Sequence, residues 1–254
     1  GEDRTHAAEP RTSAGIEDRG GLLVERERRR GVEVVGAVDQ LDERLRPFLE
    51  ARHRGLQLRA QIGRQLWTDP ARGAEDRQKA LDSALAQTYS NVEIIIVNDG
   101  SDDNGMTEEV IRAYGDQVRS IHKENGGVAS ALNAGISAMR GTYFSWLSHD
   151  DIYLPRKVER QLAIALAYTE PTVVYGNFQT IDASGHVLET HDVCRSNENA
   201  SEDSLWLVLE VKLCGCAMLV PSVCIQGDKP FDERLPTTQD YVLWFELARE
   251  YKFV

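Results

Sequence analysis

Lysine is missing from the first 78 residues, where 15 arginines meet 15 acidic residues and the formal charge is zero. Residues 79–254 hold 14 basic and 26 acidic side chains, so they carry the whole net charge of −12. An acidic excess of that size excludes nucleic acid as an expected partner, because a polyanion needs basic groups. A phosphate ligand here would call for a divalent cation to screen the chain's own carboxylates. No run of 18 or more apolar residues exists, which excludes a membrane-spanning helix in this sequence. Gly1 to Gly20 is polar and charged, unlike a secretory leader. The expected location is therefore cytoplasmic, including peripheral association with the inner face of the plasma membrane.

Cysteine is scarce too. Cys214-Gly215-Cys216 leaves one residue between thiols, and no histidine follows, so the spacing of a zinc site is absent. Cys194, Cys214, Cys216 and Cys224 read as small buried residues. No Gly-Lys-Ser/Thr follows the one glycine-rich loop, which excludes a Walker loop.

The chain changes character near Asp76. Residues 1–75 form an atypical region with weak periodicity, in which irregular structure is expected for Gly1 to Arg30. Val32 to Val38 alternates like a strand, and Leu41 to Leu58 suits an arginine-rich helix. This region reads as a genuine extension, a regulatory arm, or a segment foreign to the domain from a wrong start or reading frame. From residue 76 to 254 helical and strand patterns alternate, which predicts an α/β domain with a largely parallel sheet. Helices are expected at 76–87, 107–114, 128–139, 154–168 and 239–251. Strands are expected at 92–97, 118–122, 143–147, 172–175 and 217–220.

Four segments carry chemistry. Asn98-Asp99-Gly100-Ser101-Asp102-Asp103 follows the strand at 92–97, and ligands of open α/β sheets sit at carboxyl ends of strands. Alone, Asp-Gly there marks a turn. Asn125-Gly126-Gly127 leads into a helix containing Asn133, and free N–H groups at a helix start favour anions. Ser148-His149-Asp150-Asp151 follows the strand at 143–147. Adjacent carboxylates at a strand end suit Mg²⁺ or Mn²⁺ with a diphosphate, or a helix cap. Gln239-Asp240, followed by Trp244 one turn on, opens the last helix. Asp240 suits a cap or a base, and Trp244 the core or a sugar wall.

Taken together, these segments resemble the inverting family 2 glycosyltransferases of the GT-A fold over about residues 76–254. Leu81 to Tyr89, with its Gln87-Thr88-Tyr89 end, is similar to the family's first helix. The resemblance implies a GT-A-like (Rossmann-like), mostly parallel sheet flanked by helices, here with an irregular N-terminal extension. It implies that Asp99, Gly100, Asn125, Gly127, Asn133 and Asp150 bind the donor nucleotide. Asp151 would hold Mg²⁺ or Mn²⁺, Asp240 would be the catalytic base, and Gln239 and Trp244 would border the sugar and acceptor. The donor would be a nucleotide-diphosphate sugar, most often a UDP-sugar, and the acceptor a glycan, lipid-linked or protein hydroxyl. A nucleotide-binding fragment without turnover and a nucleotidyltransferase are the rival readings. Ser148 stands where many members have an acid, and Gln239 where they have Glu. The family's first buried strand has no counterpart just before Leu81. Gly31 to Val38 is the segment able to fill that central place.

Overall fold

A computed structural model describes residues 22–25, 33–38, 58–60, 70–196, 204–210, 213–227, 229–235 and 239–254. The main sheet is built on β4 (Val92–Asn98), whose β-branched run is fully extended and buried on both faces from Ile94 to Val97. A continuous apolar run of this kind is what a central strand covered by helices on both sides requires. Its parallel neighbour is β5 (Arg119–His122), in register from Ile95 opposite Arg119 to Asn98 opposite His122. On the other side lies β6 (Tyr143–Ser148), and beyond it β11 (Val220–Pro221), antiparallel.

Two strands of the N-terminal region occupy the place between β4 and β6. β2 (Glu33–Val38) runs antiparallel to both, with Val35 opposite Ile95 and Trp146. β3 (Leu58–Ala60) runs parallel to both. The central vacancy left by the missing first strand is thus filled from Glu33 to Val38, in reversed direction. Backbone groups of β4 and β6 facing it gain partners that burial would otherwise deny them. β1 (Leu22–Glu25) lies in a second sheet, between β7 (Asp151–Tyr153) and β9 (Phe178–Ile181). The expectation of irregular structure for Gly1 to Arg30 is corrected there. The proposed helix at 41–58 lies outside the described residues, apart from Leu58.

The helices match the apolar periodicity. α1 (Pro70–Leu85) buries Ala80, Leu81 and Ala84, α2 (Met106–Tyr114) buries Ile111, and α3 (Gly127–Ala138) packs with Ala129, Ala131, Leu132 and Gly135. The small side chains of α3 allow it to sit close to the sheet. α4 (Lys157–Leu166) begins two residues after Pro155, so the proline lies in the preceding turn and not in the helix. β8 (Thr172–Val173) is followed by a hairpin of β9 with β10 (Val187–His191). Short helices α5 (Val193–Ser196) and α6 (Ser204–Glu210) lead to α7 (Gln239–Ala248).

The core is aromatic where α7 meets the sheet. Phe231 is 0% exposed, with its ring 6.0 Å from Trp146 and 6.2 Å from Trp244, both nearly edge-on. Such T-shaped contacts contribute about 0.5–1.5 kcal/mol beyond burial. Among the described residues no helix is long and apolar enough to cross a membrane.

Candidate active site

β4, β5 and β6 point the same way, so Asn98, His122 and Ser148 end on one edge of the sheet. The residues just past those ends meet there. Asp99 is 0% exposed, and its carboxylate accepts from Lys123 Nζ at 2.5 Å, Gly127 N at 2.7 Å and Gly126 N at 3.0 Å. Asn125 Nδ2 adds bonds at 2.9 Å to the Asp99 carbonyl and 3.3 Å to its carboxylate. The anion at the start of α3 is therefore the chain's own Asp99, which corrects the expectation of free N–H groups at Gly126 and Gly127. Gly100 has φ +72°, and a Cβ there would lie 2.9 Å from Asn125 N. Only glycine allows that approach.

Lys123 escaped the sequence reading. The β4–β5 register carries its signal: one residue past Asn98 and His122, Asp99 and Lys123 fall side by side. Asp103, the last residue of the 98–103 segment, has no role of its own in the sequence reading. Arg77, buried on α1, donates to Asp103 at 2.9 Å, and Thr107 N and Oγ1 donate to the same carboxylate. Burial pushes Asp103 up, but those bonds outweigh it and hold the carboxyl below its ordinary range. The 98–103 turn is so pinned at both ends.

Asn133 and Trp244 are placed differently from expectation. Asn133 is buried and clamps Phe231 through both backbone groups, donating to its carbonyl at 2.8 Å and accepting from its N–H at 3.0 Å. Its second donor reaches Glu233 at 3.1 Å. Its amide is thus engaged by protein. Trp244 is 0% exposed, so its ring belongs to the core and has no face for a sugar.

Asp150 and Asp151 follow β6. His149 Nδ1 lies 3.4 Å from the Asp150 carboxylate. Burial, with the nearby Asp76 charge adding to it, pushes the Asp150 carboxyl up to about 7. Asp151 is buried, and its backbone pairs with Val24 of β1. Among the described residues no group of three or more His, Cys, Asp or Glu could hold a metal. One or two carboxylates still suit Mg²⁺, which takes its remaining ligands from substrate phosphates and water. Asp76 itself is paired with Lys79 Nζ at 3.1 Å.

Asp240 joins this edge through one turn. Tyr241 donates its hydroxyl to the Leu213 carbonyl at 3.2 Å. Cys216 Sγ accepts from Ser148 N at 3.3 Å. The Cys216 thiol lowers the pKa of Cys214 by hydrogen bonding, while burial and the Asp240 charge oppose it. The 213–218 turn thus lies between the end of β6 and the first turn of α7. Burial raises the Asp240 carboxyl above the ordinary range, against bonds from backbone N–H groups. Gln239 is buried, and its Oε1 has no protein partner among the described residues.

The comparisons agree with this architecture. A family model described as Glycosyl transferase family 2 matches residues 74–224. The chain belongs to glycosyl transferase family 2. It is 49% identical over 181 residues to an uncharacterized glycosyltransferase of Rickettsia felis, covering 70% of this chain and 30% of that protein. It is 38% identical over 113 residues to the chondroitin synthase of Pasteurella multocida, covering 44% of this chain and 12% of the synthase. The chain therefore spans well under two thirds of these relatives. The crystal structure of S. aureus TarS residues 1–349 in complex with UDP superposes with a TM-score of 0.51 at 14% identity, covering 72% of this chain and 55% of TarS. That likeness establishes the GT-A fold.

Proposed function

We propose that residues 76–254 form a catalytic domain that moves a sugar from a UDP-sugar to an acceptor hydroxyl with inversion, assisted by Mg²⁺ or Mn²⁺. The observation that carries this reading is the gathering of Asn125, held by the buried Asp99, and Asp150 at one sheet edge, tied to Asp240 by the 213–218 turn. The UDP bound by the structural neighbour TarS suggests the uridine donor.

The base of the donor lies against the Asp99–Gly100 turn and the Asn125–Gly127 loop. Asp150 faces the ribose and diphosphate, and Asp151 with the diphosphate would hold the cation. When bound, that cation supplies positive charge against the leaving diphosphate. Asp240 takes the proton of the acceptor hydroxyl as its oxygen attacks the anomeric carbon. Its raised pKa strengthens it as a base and places it nearer the operating pH. The bond to the diphosphate breaks on the opposite face, so one displacement inverts the centre. No carboxylate nucleophile is required, in contrast to a retaining glycosidase. Gln239, whose side-chain carbonyl has no partner among the described residues, borders the acceptor.

The test is a panel of nucleotide sugars offered to the full chain with Mn²⁺. Expected is metal-dependent release of UDP, an inverted anomer, and a fall of about 10²–10⁴ in kcat for Asp240→Asn. Nucleotide binding without turnover would reduce the chain to a binding module, and pyrophosphate release from a triphosphate would make it a nucleotidyltransferase.

A further inference from the structure

Lys157, at the start of α4, is a fully buried charge-bearing side chain, with 0% exposure. Its Nζ donates to Ser145 Oγ at 2.6 Å and to the Met218 carbonyl at 3.1 Å, and it lies 4.3 Å over the Tyr153 ring. Ser145 Oγ passes the bond on to the same Met218 carbonyl at 2.8 Å. Burying an amine is costly, and a packed methionine would fill the space without that cost. The head group must therefore be kept for its bonds. One helical turn later, on the same face, Gln161 donates to the Ala217 carbonyl at 2.7 Å. Two consecutive carbonyls of the 213–218 turn are thus held by α4.

The other end of that turn is where it matters. Leu213 receives Tyr241 of α7, Cys216 receives Ser148 of β6, and Cys214 lies within the field of Asp240. Gly215 in its middle fits against Trp146 so closely that a Cβ would stand 2.4 Å from the indole. The turn is thus packed tightly against the sheet at Gly215 and bonded to an element on either side.

We infer that Lys157, with Gln161, is a positioning residue that fixes the 213–218 turn and so sets the placement of Asp240 relative to the Ser148–Asp151 strand end. The kinetic part of this inference rests on the function proposed above. The structural part does not. Burial also holds the Lys157 amine down to about 7, which lets it act as a donor without a carboxylate beside it.

Hydrogen exchange on the full chain tests it, comparing wild type with Lys157→Met and Gln161→Met. Expected is a loss of protection of about tenfold or more at 213–218, Ser148 and 239–241, with residues 92–98 and 119–122 unchanged. With a UDP-sugar and Mn²⁺, kcat is expected to fall about 10–100-fold while the donor KM stays within about threefold. Unchanged protection at Ser148 and Tyr241 overturns the inference. A loss spread evenly over 92–98 and 119–122, or a donor KM that rises in step with the fall in kcat, overturns it too. If Lys157→Met does not fold, Gln161→Met is read by the same criteria. A wild-type chain that turns over no nucleotide sugar defeats the proposed activity, and the exchange data still decide on Lys157.

Discussion

Replacing Asp99 by asparagine, ordinarily the mildest change for an aspartate, is expected to be as damaging as replacing it by alanine. The reason is the donor shell. One carboxylate oxygen faces Lys123 Nζ and Gly126 N, and the other faces Gly127 N, Gly126 N and Asn125 Nδ2. An asparagine turned either way points its NH₂ at a donor. Asp99 is 0% exposed, so water cannot relieve the clash, whereas Lys123 is 24% exposed and Gly126 is exposed. In Asp99→Ala those donors turn to water, and the loss is the charge-assisted bonding, about 2–3 kcal/mol. In Asp99→Asn the lost charge is joined by an opposed donor pair, for about 3 kcal/mol or more. Lys123→Met keeps the two backbone donors and should cost about 1–2 kcal/mol. Urea unfolding of the three variants and the Asp99→Ala/Lys123→Met double mutant measures this, with the slope m checked for constancy. An Asp99→Asn variant within about 0.5 kcal/mol of wild type would refute the all-donor shell.

If Asp240 is the base, activity must fall as pH drops through its raised pKa, because the protonated carboxyl cannot accept the hydroxyl proton. A kcat–pH profile should place the acid limb above the ordinary carboxylate value of about 3.9, and a limb at or below that value contradicts the assignment. Mn²⁺ should tighten UDP binding in calorimetry by about tenfold, and Asp151→Asn should remove most of that gain. Equal gains in both chains would take Asp151 out of the cation site. Trp244→Phe should lower stability by about 1–3 kcal/mol while leaving donor and acceptor KM unchanged, since the indole is 0% exposed. A rise in acceptor KM without loss of stability would return Trp244 to the sugar site.

The sequence alone determined the longer elements from residue 76 onward, because β-branched runs such as Val92–Asn98 and apolar stripes such as Ala80, Leu81 and Ala84 state their period locally. The strand expected at 217–220 is only Val220–Pro221, and the short strands Asp151–Tyr153, Phe178–Ile181 and Val187–His191 were not legible. It also determined which acids and glycines end the strands, since Asp99, Asp150 and the Asn125–Gly127 loop lie just past them. Tertiary structure alone decided what those side chains touch. Lys123 reaches Asp99 through strand register, Asn133 meets Phe231 across 98 residues, and Lys157 meets Met218 across 61. Trp244 fitted a core and a binding wall equally well until Phe231 was placed against it. The strand that fills the sheet between β4 and β6 was legible as a strand able to fill that place, but its reversed direction was not. Alternation at Glu33 to Val38 gives a period but neither a partner nor a direction, and both are set by hydrogen bonds to strands more than fifty residues away.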